Sequence, residues 1–157
     1  RSSDLWKRLV LALAAWSLGA SARTAGDGPD GDQVQVVATD HPDSELAEGA
    51  DEVLALEAVS LAPRFSGQLP TMVHDWAAEV RAFPDQLSVP LPSWTGPDPR
   101  LGTAEGTTAA PRLLVDGDGL EVMPAVLAAW LAGGGIVGPA GAISAQQATE
   151  EGVTGSA

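Results

Sequence analysis

The chain has 157 residues, a formal charge of −13 and a pI of about 4.2. Eight basic residues against 21 acidic ones argue against nucleic acid, whose phosphates need Lys and Arg to displace their counterions, and against anionic membrane surfaces. Zero cysteines exclude disulfides, thiolate metal centres and a Cys nucleophile, in keeping with a reducing cytoplasm.

At this length the chain is about one domain, with roughly two-thirds of its unfolded surface buried on folding. Ala and Leu dominate, and five of the seven aromatics are Trp, which become the bulky anchors of the core. Asp4 to Leu18 reads as a helix: Asp4 can cap it, and Leu5, Leu9, Ala12, Leu13 and Trp16 recur at helical spacing. Gly19 is its stop signal. Asp27 to Asp32 is a turn-rich loop, and Gln33 to Thr39 alternates as a strand. Asp43 to Gly49 gives one or two helical turns. Glu52 to Val59 is a second apolar run, read as a strand. Thr71 to Ala82 is predicted as a surface helix capped by Thr71, with Val73, Trp76, Ala77 and Val80 on one face.

From Phe83 to Pro111 the chain changes character, with six of its twelve prolines in that stretch, as an extended linker or a long ordered loop. Regularity returns with a strand over Arg112 to Val115, a helix over Leu120 to Ala132 and a short strand at Ile136-Val137. Ser144 to Glu151 is a last short helix followed by a polar tail. The tight β-α-β run from Arg112 to Val137 implies two parallel strands joined by a helical crossover. Parallel sheets need helices over their faces, so the predicted class is α/β: layered, mostly parallel sheets with flanking helices.

Leu13-Ala-Ala-Trp16, three residues before Gly19, is echoed by Leu127-Ala-Ala-Trp130, three before Gly133. The echo suggests two similar subdomains on either side of the Pro-rich segment. The expected division is a first α/β subdomain over 1–82, a linker or loop over 83–111 and a second subdomain piece over 112–157.

These units carry a resemblance. Leu5-Trp-Lys with Ala-Ala-Trp16-Ser-Leu-Gly19, Glu52 to Pro63, Trp76-Ala-Ala-Glu-Val-Arg81, Arg112-Leu-Leu-Val-Asp116, Leu127 to Gly133 and Ala148 to Thr154 follow one another as in a known family. The chain resembles small actinobacterial proteins distantly related to the AMP-binding, adenylate-forming, acyl-CoA synthetase-like enzymes. The resemblance implies two related α/β subdomains, each with an Ala/Leu-rich helix turning through Gly into a strand. It also implies a chain that begins inside the family's first subdomain, in keeping with Arg1 at its start.

The same resemblance directs attention to Glu105-Gly-Thr-Thr-Ala-Ala-Pro-Arg112, which is similar to the family's phosphate loop. In it Gly106, Thr107, Thr108 and Arg112 would hold the phosphates of ATP or AMP with magnesium, the backbone and hydroxyls approaching the anion and the cation balancing it. Glu105 stands where the family has a hydroxyl, and Ala109 where it has a glycine. The family's acidic magnesium and adenine segment, its ribose site and its catalytic-lysine domain have no counterpart in these residues. Lys7 is the only lysine. Phosphoryl displacement depends on such cations and on positioning, so the expectation is a non-catalytic or vestigial binding or regulatory module. An ATP-dependent ligase fragment completed by other domains stands as the alternative.

Other candidates are weaker. Asp27, Asp30 and Asp32, and Asp116-Gly-Asp118-Gly, lack the ligand spacing of a calcium loop and read as turns. His41 and His74 lie near Ser44 and Asp75 in sequence, but no Gly-x-Ser-x-Gly elbow accompanies them. Two histidines make a poor metal site. Residues 1–22 also mimic a signal peptide, with Lys7-Arg8, an apolar run and Ala20-Ser-Ala22, which leaves an exported acidic domain as a further alternative. The run is too short to span a membrane.

Overall fold

The computed structural model describes residues 5–25, 33–58, 62–99, 110–116 and 120–157. The architecture is mixed α/β, with two small parallel three-stranded sheets and flanking helices. Two compact units form it: Gly26–Pro90, and Ser2–Ala25 together with Leu91–Ala157.

The first unit is built on β1 (Val36–Thr39), α2 (Glu45–Glu48), β2 (Glu52–Ala55), β3 (Val73–Asp75) and α3 (Trp76–Glu79). Its strands lie in the order β1-β2-β3, all parallel, with Val37 beside Val53 and Val53 beside Val73. Those three valines share one face, and Val37 and Val53 close on Ala47 of α2 as a small core. The Ser44 hydroxyl accepts from the Ala47 amide and caps α2.

The helix expected over 71–82 is replaced by a strand, a four-residue helix and a 3-10 turn over Val80–Ala82. Met72 has φ +68°, which interrupts any right-handed helix, and Val73 to Asp75 spend their backbone groups on the ladder with β2. The cap passes from Thr71 to Asp75, whose Oδ1 accepts from the Ala78 amide at 3.1 Å. Val73 and Trp76 therefore belong to different elements.

The second unit contains α1 (Leu5–Ser17), β4 (Arg112–Leu114), α4 (Met123–Leu131), β5 (Gly135–Val137), α5 (Ala145–Glu150) and β6 (Gly155–Ser156). Its sheet order is β5-β4-β6, all parallel, so β4 is central and the chain reverses its direction of travel after β5. Crossovers of the usual right hand place α4 and α5 on opposite faces of such a sheet. The tail expected to be irregular supplies β6: Leu113 and Leu114 pair with Gly155 and Ser156, and the Ala157 amide donates to the Leu114 carbonyl at 2.9 Å. Val153 to Ala157 alternates weakly, part-buried at 153, 155 and 157 and exposed at 154 and 156, but with side chains too small to mark a strand by themselves.

The stripe Leu5, Leu9, Ala12 and Trp16 packs on Val115, Met123 and Val126, with Leu13, Leu120 and Leu127 at its margin. This places α1 with the Arg112–Ala157 elements, not with the 26–90 sheet, and alters the division drawn on the sequence. The Leu-Ala-Ala-Trp echo accordingly marks two helices of one unit rather than two subdomains. What the two share is their ending. Gly19 (φ +76°) donates to the Trp16 carbonyl and Ala20 to Ala15; Gly133 (φ +74°) donates to Trp130 and Gly134 to Ala129. Both are Schellman turns, and α5 ends in a third through Gly152.

Residues 83–99 carry no helix or strand, and 91–99 belong to the second unit. Trp94 meets Trp16 edge-on, with ring centroids 5.8 Å apart, and the Thr95 hydroxyl donates to the carbonyls of Trp16 and Ala20. This part of the Pro-rich segment is thus an ordered loop that closes the end of α1.

Two neighbouring glycines separate strain from collision. Around Gly133 nothing lies within 4 Å of an added Cβ, so Gly133→Ala carries only the left-handed backbone penalty, about 1–2 kcal/mol. At Gly134 a Cβ would run into the Pro111 carbonyl, part of the backbone that leads into β4. Urea unfolding of the two variants should show Gly134→Ala as clearly the more destabilised; equal midpoints would contradict this packing of the α4 turn.

Candidate functional site

Arg112 opens β4, with both its backbone and its side chain engaged. Its amide donates to the Thr154 hydroxyl at 2.9 Å, and its carbonyl accepts from the Thr154 amide at 2.8 Å. Its guanidinium reaches Glu151 just beyond α5, with Nη2 2.8 Å from Oε2. Both side chains are about half exposed, which keeps the energy of the pair small but still satisfies the cation. Gly106, Thr107 and Thr108 lie outside the described residues, so of the expected phosphate-loop groups only Arg112 can be placed, and it faces a carboxylate.

Beside that pair runs a cleft of about 420 Å³ lined by Ile136, Val137, Gly138, Ile143, Gln147, Glu150 and Glu151. β5 and Ile143 form one side of it and Gln147, Glu150 and Glu151 the other, but the Ile136 side chain packs on the α1–α4 core and Val137 is buried, so little apolar surface opens to the cleft. Ser144 builds the helix start through a capping box: its hydroxyl accepts from the Gln147 amide, while the Gln147 carboxamide oxygen accepts from the Ser144 amide at 2.9 Å. Gln146 donates to Glu150 Oε1 at 2.7 Å. These residues were not singled out in the sequence. Their signal was nonetheless present: Ala-Gln-Gln-Ala-Thr-Glu has no apolar stripe, although it occupies a crossover between parallel strands.

The histidines do not form triads. His74 lies on the face of its sheet opposite the valine core, where the alternation of β2 and β3 also puts Glu52. Its Nδ1–H donates to Glu79 Oε2 at 2.9 Å and its Nε2–H to Glu52 Oε2 at 3.1 Å. The Asp75 carboxylate serves the amides of Phe65 and Ala78 instead. His41 lies 3.8 Å from Asp40, and Ser44 is committed to its cap. Asp27, Asp30, Asp32 and Asp118 lie outside the described residues. Among the described residues no three His, Asp or Glu side chains converge for a metal ion, and no helix is long and apolar enough to cross a membrane.

The two carboxylates raise the His74 pKa above the ordinary value of 6.5, the Glu79 hydrogen bond and charge contributing most. A raised histidine stabilises the fold fully below its unfolded pKa, and that contribution is lost as pH rises through the folded value. Imidazole NMR titration should therefore show the His74 pKa falling towards 6.5 in Glu79→Gln, and falling less in Glu52→Gln. An unchanged His74 midpoint in Glu79→Gln would contradict the bridge.

Comparison of the chain with protein-family models, with curated proteins and with solved structures returned no match.

Proposed function

We propose that this chain is a non-catalytic relative of the acyl-CoA synthetase-like, AMP-binding proteins that works as a binding or regulatory module. The observation that carries the non-catalytic part is the Arg112–Glu151 ion pair. A phosphate loop needs its cation directed at the anion, and here the guanidinium is taken by an acidic side chain of the same unit. Two carboxylates at the adjacent cleft add repulsion towards phosphate. The kinship rests on the ordered sequence resemblance. The parallel β4-α4-β5-α5-β6 arrangement, with Ala/Leu-rich α4 turning through Gly into a strand, is compatible with it.

The rival ligase reading makes the opposite demand on Arg112: it must leave Glu151 when nucleotide arrives. Calorimetric titration with Mg-ATP decides between them. The expected result is no binding heat at millimolar nucleotide, for the chain and for Arg112→Ala alike, with both shown to be folded by circular dichroism. Micromolar to low-millimolar binding that Arg112→Ala abolishes would overturn the non-catalytic reading and establish the phosphate loop.

A further inference from the structure

β1 is an outer strand of its sheet, paired with β2 on one side and with no strand on the other among the described residues. The register shows which groups are left over. Glu52 donates to the Gln35 carbonyl and Leu56 to the Thr39 carbonyl, so Gln35, Val37 and Thr39 turn their backbone groups to β2. Val36 and Ala38 turn theirs the other way, to the free edge. Their side chains lie opposite the valine core, and both residues are exposed, Val36 to 54%.

An edge of this kind is ordinarily guarded by Lys, Pro or a charge pointing along it. β1 carries no such guard. Gln33 to Thr39 has no charge, no Pro and no Gly, and four of its seven residues are β-branched. Its setting makes that unusual: Asp27 to Glu57 holds ten carboxylates and no Lys or Arg, yet none of the ten falls within 33–39. The acids stop on either side of the strand, at Asp32 and Asp40.

Charge placement selects the strand that fits. A parallel copy in register would set Asp40 beside Asp40. An antiparallel copy centred on Val37 sets Val36 against Ala38 and Ala38 against Val36, each pair exchanging both of its hydrogen bonds. Asp40 then falls opposite Val34, and the two Asp40 side chains lie at opposite ends of the ladder. The outward groups are thus complementary to themselves, and the paired residues are apolar.

We infer that the free edge of β1 is a self-association surface, on which a second copy of this chain lays its own β1 antiparallel across a two-fold axis. The pairing uses up the edge on both copies, so assembly closes at two chains. This goes beyond the binding-module reading and does not depend on it. The contact is short and each copy carries −13, so the dimer is weak and is strengthened by salt that screens the repulsion.

Sedimentation equilibrium of the full chain, from micromolar to millimolar concentration in about 0.15 M salt, should show the mass rising from one chain to two and no further. Amide hydrogen exchange followed by NMR over the same range locates the contact. The Val36 and Ala38 amides should gain protection with concentration, while those of Val37 and Thr39, which face β2, stay protected throughout. In a mixture of labelled and unlabelled chains, contact between the α-protons of Gln35 and Thr39 marks the antiparallel register. Val36→Pro removes an outward amide, leaves the ladder with β2 in place and should weaken the dimer by roughly tenfold or more. The exchange measurement needs no variant and so decides the question even where that one does not fold. A single-chain mass at millimolar concentration, growth beyond two chains, a dimer with Val36 and Ala38 unprotected, or one that folded Val36→Pro does not weaken would each overturn the assignment. A mass that stays single while a Thr-Val-Thr-Val-Thr peptide protects the same two amides would overturn self-pairing in favour of a strand from another protein.

Discussion

The apolar seam between α1 and the β4–α4 pair is the constraint on which the second unit depends. Leu5, Leu9, Ala12 and Trp16 present one stripe, and Val115, Met123 and Val126 receive it with almost no exposure. Fully burying side chains of this size contributes about 1.5–3 kcal/mol each. The small sheet has no comparable source of stability: its three strands span two or three residues apiece. The seam also explains why elements separated by some hundred residues in sequence share one core. The Trp16–Trp94 contact and the two Thr95 hydroxyl bonds then fasten the Pro-rich stretch to the end of the same helix.

α5, between β5 and β6, carries no buried residue of its own. β4 is paired on both edges, and the tail that pairs with it is reached only by passing through α5. α5 is held mainly at its ends, by the capping box at Ser144 and by the turn through Gly152, with the Arg112–Glu151 pair alongside. With its ends fixed by hydrogen bonds, the helix does not need apolar side chains to stay in place, and polar ones can line a cleft.

The same ion pair bears directly on the functional reading. It withdraws the one placed cation of the supposed phosphate loop, and it occupies one of the two glutamates at the cleft. What remains at the mouth is Glu150, in a stretch of sequence without basic residues. Both carboxylates there repel the phosphates that a nucleotide would bring.

Periodicity and punctuation made much of this fold legible. The 3.6-residue stripe of α1, the stops at Gly19 and Gly133 and the strand–helix–strand run around α4 all arise from interactions within a few residues, so local spacing suffices to find them. The Met72 to Glu79 stretch escaped because its apolar spacing suits a helix, while pairing with β2 claims Val73 to Asp75 as a strand. β6 escaped because its alternation rests on side chains as small as Gly155, Ser156 and Ala157, too weak a signal against a polar tail. The candidate site divides in the same way. That Ala145 to Glu150 is polar is plain in the sequence, and so is the absence of basic residues after Arg112. Which strand that helix overlies, and which acid takes the arginine, depend on partners distant in the chain: Arg112 and Glu151 lie 39 residues apart. The sequence alone determined the α/β class and the glycine ends of α1 and α4; tertiary packing alone decided that α1 joins β4 and that Arg112 faces a carboxylate, because long-range burial and pairing leave no mark in local spacing.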